Sequence, residues 1–240
     1  MKNRILNIRD AGAPFARVIC LVGMVLTSAA GVVPSSAQSP TRPRPLNEQL
    51  LRARNAFVSG SSLLEAKTRV DRVVEALPAD AEARVLRAEI LIRMGRFEEA
   101  ALDASEATRL QPSNGKAHLA LAESSFRKGD TATTERSINR ASQLLVDDAA
   151  AHVRLSRLAR ALNRPEQAVA FARIAVALEP NNAACHYELA RAFVANANVD
   201  AAASVLASGL RGGLLSEDFV SADSLLLPLA LHRDVKPYVH

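Results

Sequence analysis

Five residue groupings in this chain are of types that could do chemistry, and all five fall into two patterns. Ser-x-x-Lys occurs twice, at Ser113-Asn114-Gly115-Lys116 and Ser125-Phe126-Arg127-Lys128, and histidine recurs every 34 residues at His118, His152 and His186. The first pattern would supply a serine nucleophile with a lysine one helical turn away as its base. Acyl transfer of that kind also needs Ser-Asp-Asn and Lys-Thr-Gly elements to relay the proton and hold the substrate, and neither is present. The histidine series invites a metal. Zinc takes four ligands whose donor atoms converge to about 2 Å, whereas packed helices run about 8–10 Å apart. Two adjacent members of the series could meet at one ion; three in a row cannot. No His-x-x-x-His or paired-cysteine motif, Gly-rich phosphate loop or nucleophile elbow supports either chemistry. The expectation is a non-enzyme with no metal and no cofactor.

The elements that carry these residues are helical. Of 240 residues, 49% are apolar but only 4% aromatic, with no Trp, and Ala and Leu dominate. Small unbranched side chains suit closely packed helices better than a sheet core. The net charge of +5 resembles a nucleic-acid signal, but Lys2, Arg4, Arg9 and Arg17 supply most of it. With the first 37 residues removed the net falls to +2, so net charge gives no bias toward a polyanion and no nucleic acid is expected.

Those basic residues open a leader. Residues 1–17 are basic, 18–33 apolar and uncharged, and Pro34-Ser35-Ser36-Ala37 offers small residues where a signal peptidase reads. This is the layout of a secretory signal (residues 1–37) cut after Ala37, which places the mature chain in the periplasm or outside the cell. The other fate is retention as an inner-membrane anchor facing the periplasm, since no charge occurs between Arg17 and Arg42 and a span needs about 20 apolar residues. A membrane contact follows only in that case. Residues 38–45 hold three prolines and read as an extended linker, with folded structure from Leu46. Cys185 is alone once the leader and its Cys20 are gone, and a small buried apolar role is expected of it.

A fixed period organises the rest. Pro78, Pro112 and Pro180 are spaced by 34 and then 68 residues, with Val146 in the skipped slot. Repeats then span 47–80, 81–114, 115–148, 149–182 and 183–214. At repeat position 20 stand Ala66, Ala100, Thr134, Ala168 and Ala202, and at position 27 Val73, Ala107, Ala141, Ala175 and Gly209. Gly60, Gly95-Arg96, Gly129-Asp130, Asn163-Arg164-Pro165 and Asn196-Ala197-Asn198 mark a turn in mid-repeat. Each unit therefore reads as helix, turn, helix, with A helices near 47–59, 81–94, 115–128, 149–162 and 183–196. After Gly212-Gly213 the period breaks, and residues 215–240 read as a cap over the last apolar face.

Length, period and this ladder of small residues resemble the tetratricopeptide repeat (TPR) family. The resemblance implies an all-α fold, a right-handed αα-superhelix of about five helix-turn-helix repeats closed by the short cap. It also implies a protein-binding scaffold whose concave surface is lined by A-helix positions 2, 5, 9, 12 and 13. Position 9 carries Asn55, Glu89, Glu123, Arg157 and Arg191; position 12 includes Ile92, Phe126 and Arg160, and position 5 Tyr187. The groove is thus expected to be acidic in its first half and basic in its second. Glu89–Arg93 and Glu123–Arg127 are spaced to pair along their own helices, and Arg157 to reach Glu123 across a repeat boundary. The implied partner is a peptide or protein with acidic groups, held by Arg157, Arg160, Arg191 and Tyr187. A periplasmic adaptor and a membrane-anchored accessory of a secretion, pilus or cytochrome-maturation machine both fit.

Overall fold

A computed structural model describes residues 41–239 of the chain, without the Phe219 side chain. The leader, its cleavage site and the start of the linker lie outside the described residues. All regular structure among the described residues is helical: α1 (Arg44–Ser59), α2 (Leu63–Ala76), α3 (Ala81–Arg93), α4 (Phe97–Leu110), α5 (Gly115–Arg127), α6 (Thr131–Leu144), α7 (Ala149–Ala161), α8 (Pro165–Leu178), α9 (Ala183–Ala195), α10 (Val199–Arg211) and the short α11 (Glu217–Ser221). Two single-turn 3-10 helices follow, Leu227–Leu231 and Lys236–Tyr238. Odd-numbered helices from α1 to α9 are the A helices of a solenoid, and each packs on the B helix that follows it.

The period is written into the helix ends as well as the core. Asp80, Asn114, Asp148 and Asn182, each the last residue of a repeat, accept a backbone N–H in the first turn of the next A helix. Such N-caps satisfy donors that a helix start leaves open. The mid-repeat turn places residues 95, 129, 163 and 197 in the left-handed region, at φ of 77°, 80°, 57° and 54°. Gly95 and Gly129 meet that demand without strain; Asn163 tolerates it, and Ala197 is strained by its Cβ. Ala66, Ala100, Thr134, Ala168 and Ala202 are all fully buried, as are Val73, Ala107, Ala141 and Ala175. Their small volume lets the helix backbones approach. At Gly115 a Cβ would come within 2.5 Å of Leu145 Cγ, so this A helix needs glycine where the neighbouring repeats have Ala81, Ala149 and Ala183.

The first helix starts earlier than the prolines suggest. It opens at Arg44 with Pro45 inside its first turn, where a missing N–H costs nothing because no acceptor waits for it. Arg42 just ahead of it forms ion pairs with Asp80 and Glu82, the Glu82 contact being 2.6 Å. The polar segment is therefore pinned to α3 from Arg42 onward. At the other end Val220, Leu226, Leu229 and Val235 are buried in one apolar cluster with Ala203 and Leu206 of α10. The cap closes the last repeat by ordinary hydrophobic burial.

Position 4 shows a second regularity. Arg84 Nε donates to Pro78 O at 2.7 Å, and His118 and His186 meet Pro112 O and Pro180 O at 3.0 and 2.7 Å. Each of these repeats thus latches onto a proline carbonyl near the end of the one before. His152 differs, in the repeat that follows the one with Val146 in the proline slot. Its ring is buried, leaves both nitrogens without a hydrogen-bond partner, and lies 6.0 Å from the Phe171 ring. At this same junction α6 touches α7 along far less of its length than α2 touches α3, α4 touches α5 or α8 touches α9.

Candidate functional site

The A helices place their exposed faces along one groove, and the groove deepens into a cavity of about 480 Å³ over α3, α5 and α7. Its apolar floor is Phe57, Ile92, Phe126, Leu158 and Ala161, and its charged wall is Glu89, Glu123, Arg93, Arg127, Arg154 and Arg157. A second hollow of about 330 Å³ shares Phe57 and Glu89 with it and adds Arg54, Glu82 and Lys116. The apolar residues come from helix positions 10 to 13, so the last turn of each A helix supplies the floor while the polar residues stand on either side.

Four of the expected site residues meet in this cavity: Glu89, Glu123, Phe126 and Arg157. Their electrostatics differ from the expectation. The i,i+4 pairs Glu89–Arg93 and Glu123–Arg127 do not form. Arg154 takes both carboxylates instead, with Nε and Nη2 at 2.7 and 2.6 Å from Glu123 and Nη1 at 3.0 Å from Glu89. A planar guanidinium can serve two carboxylates with a fixed fork of donors, which a single rotamer on the same helix cannot match. Arg93 donates to Phe57 O at 2.8 Å and stacks on the Phe57 ring, while Arg127 stacks on Phe97. Burial alone would weaken the proton affinity of Arg154, but Glu123 and Glu89 overcome that and raise it above the usual arginine range.

Arg157 does not reach Glu123 either. It turns the other way, to Glu188 of α9 at 3.3 Å. Glu188 has no exposed surface, and its other partners are Ser156 Oγ at 3.1 Å and Arg160 Nε at 3.5 Å. One buried carboxylate thus serves two guanidiniums, and Arg157 keeps 51% of its side chain exposed.

Tyr187, Arg160 and Arg191 lie outside the cavity: Arg160 is drawn to Glu188, and the cap has taken Tyr187 and Arg191 of the last repeat. Asp223 accepts the Tyr187 hydroxyl at 2.5 Å and sits 3.1 Å from Arg191 Nε. Its other oxygen accepts the Leu225 backbone N–H at 2.9 Å. Burial would push this carboxyl up, yet Tyr187, the Leu225 N–H, Arg191 and Arg160 hold it below the usual carboxylate range. Burial and the same Asp223 push the Tyr187 hydroxyl upward.

Arg154 and Glu188 were the residues that groove positions alone did not reveal. Both occupy repeat position 6, which holds buried Leu86 and Ala120 in the second and third repeats. Opposite charges at Arg154 and Glu188, in a slot that is apolar in the two repeats before them and holds Arg52 in the first, were the available signal. Among the described residues no cluster of three or more His, Cys, Asp or Glu could hold a metal ion, and no helix is long and apolar enough to cross a membrane. Cys185 is buried.

A family model for the tetratricopeptide repeat matches residues 50–110, 90–133 and 153–213. No curated protein sequence matches the chain. Among solved structures, a thermophilic TPR protein of Thermus thermophilus is 20% identical, with 76% of this chain and 99% of that one aligned at a TM-score of 0.64. MamA (residues 41 to the end) of Desulfovibrio magneticus RS-1 is 15% identical over 70% and 95% of the two chains, TM-score 0.56. YrrB, a TPR protein with an unusual peptide-binding site, is 16% identical over 75% and 89%, TM-score 0.52. At these identities the likeness is one of fold.

Proposed function

The chain belongs to the tetratricopeptide repeat family, and from that premise we propose that it is an exported bacterial adaptor that holds a peptide or protein in the groove over α3, α5 and α7. Proteins of this family generally mediate protein–protein interaction and are typically scaffolds rather than enzymes. The observation that carries the reading is the cavity of about 480 Å³, whose apolar floor of Phe57, Ile92, Phe126 and Leu158 is ringed by arginines. A largely apolar hollow with a few directed polar groups is what a side-chain anchor needs. A peptide-binding site on YrrB, which shares the fold, supports the same use of the scaffold.

Export rests on the basic, then apolar, then small-residue leader of residues 1–37. The uncharged stretch from Arg17 to Arg42 favours a second reading, in which the leader stays in the membrane and the array is tethered on the periplasmic side. Cell fractionation with N-terminal sequencing of the product decides between them: a soluble periplasmic chain beginning at Gln38 supports export and cleavage. A carbonate-resistant membrane protein with an intact leader supports the tether, and a cytoplasmic chain sinks both. The groove itself is tested by crosslinking from cells, comparing wild type with Phe126→Ala. A partner captured by wild type and lost from the folded variant is expected. Capture that survives the substitution would move the site off this groove.

A further inference from the structure

Resting on the reading of the groove as a peptide site, we infer that its ligand is acidic: a segment presenting an apolar side chain to the floor at Phe126 and Leu158, with carboxylates on either side that meet Arg127 and Arg157. Position 9 alone points the other way, since Glu89 and Glu123 would repel such a ligand. Arg154 hydrogen-bonds both and offsets one of their two charges, and Arg93, Arg127 and Arg157 turn the balance of the wall positive. The cavity wall then holds four arginines against two glutamates. Of the four, Arg157 is half-exposed and shares its carboxylate partner, Glu188, with Arg160. Arg127 is exposed and has an aromatic stack with Phe97. Two guanidiniums at the rim thus keep donors for a carboxylate, in a setting that excludes part of the water and strengthens charge-assisted bonds.

The chain supplies its own example of the complex. In the last repeat, positions 5 and 9 are Tyr187 and Arg191, and a carboxylate fills the place between them: Asp223, followed in the cap by Leu225 and Leu226. Leu226 is fully buried. A carboxylate is therefore what the groove positions already hold at the closed end of the array, while Leu226 beside it is buried in the apolar cluster with Leu206 of α10. One repeat earlier the position-9 residue is Arg157, and no segment among the described residues covers it. The cap confines ligand binding to the first four repeats and displays the chemistry those repeats accept.

The test uses three fluorescein-labelled dodecapeptides alternating Leu or Phe with Asp, with Asn or with Lys, titrated by anisotropy into the purified protein. The Asp peptide is expected to bind about ten-fold more tightly than the Asn peptide, the effect of roughly one charge-assisted hydrogen bond. The Lys peptide should bind weakest. Arg157→Gln is expected to shrink the Asp-to-Asn ratio by about three-fold or more, on the same bond-strength scale. Arg127→Ala should do likewise; it removes only a surface stack, so it keeps the test open should Arg157→Gln disturb Glu188 and the fold. Equal or tighter binding of the Asn or Lys peptide, lost in Phe126→Ala, would overturn the acidic class and leave the groove standing. Binding of the Asp peptide that ignores all three substitutions would overturn both, as would the absence of binding by every peptide.

Discussion

Replacing Arg154 by Met removes the cation that, among the described residues, holds Glu89 and Glu123, while keeping most of the aliphatic stem. The loss comprises three hydrogen bonds between charged groups, of 2.6, 2.7 and 3.0 Å. Each is worth about 1.5–3 kcal/mol when fully shielded. Shielding is partial: 31% of the Arg154 side chain is exposed, with 18% for Glu89 and 19% for Glu123. Water recovers part of each bond in the variant, yet two like charges are left facing one cavity. A net loss of about 2–3 kcal/mol is expected, below the full cost of about 3–5 for breaking a dry ion pair. For an array of this size that lowers the melting temperature by roughly 4–12 °C. Circular dichroism melts and urea titrations of four proteins provide the assay: wild type, Arg154→Met, Glu89→Gln/Glu123→Gln, and the triple variant. In the Gln background Arg154→Met should cost less than about 1 kcal/mol, since the charges it served are gone. An equal cost in both backgrounds would refute the electrostatic account and reduce Arg154 to a packing residue.

Ala197→Gly should stabilise the protein by about 1 kcal/mol, because it relieves a left-handed Cβ that Gly95 and Gly129 avoid in the same slot. The readout is the melting temperature, and a decrease would contradict the turn geometry. Gly115→Ala should cost about 1–3 kcal/mol by overpacking against Leu145, measured by urea titration, although alanine stands at that position in three other repeats. Acid should weaken the amino-terminal end. Burial alone would raise the Asp80 carboxyl, but Arg42 and the Ala83 N–H hold it below its usual value, and Arg42 with Arg54 does the same for Glu82. A carboxyl depressed by folding contributes stability that is full above its unfolded value, about 4, and is lost as pH falls through the folded one. Melts from pH 7 to 2.5 should therefore fall below about pH 4, and less steeply in Arg42→Ala; parallel curves would show that Arg42 carries none of the effect. Tyr187→Phe should cost about 0.5–1.5 kcal/mol and speed hydrogen exchange in the cap from Val220 to Val235, a change that α2–α4 would not share.

The fold was legible because its rule is periodic. A 34-residue spacing of prolines, small residues and turn residues is visible without knowing any contact, and the helices of the array lie within a few residues of where that spacing puts them. Ile92 and Phe126 share one repeat position that the resemblance gave, but Phe57 and Leu158 of the floor come from positions 11 and 10, which it did not. What was not legible is the pairing of charges. Arg154 lies 31 residues from Glu123 and 65 from Glu89, distances at which helix-surface spacing rules say nothing. Two glutamates with arginines four residues ahead offered a local solution that the three-dimensional one outcompetes. Asp223 was hidden differently: it comes from the segment where the period ends, so no repeat position announced that it would occupy Tyr187 and Arg191.

The thin contact between α6 and α7 divides the array mechanically. Where the other junctions carry a latch onto a proline carbonyl and a broad helix seam, this one has Val146, an unbonded His152 ring and little seam. Pulled from its ends, the stack is expected to part there, into a block of three repeats and a block of two with the cap. Arg154 starts on α7 and grips α5 and α3, so it crosses that joint like a strut on the concave side. Arg164, reaching Glu135 of α6 at 2.7 Å, is a second tie, and the apolar cluster from Ile138 to Leu155 runs beneath both; dissolved salt, by loosening the two ties, becomes a dial for how far the two blocks can swing.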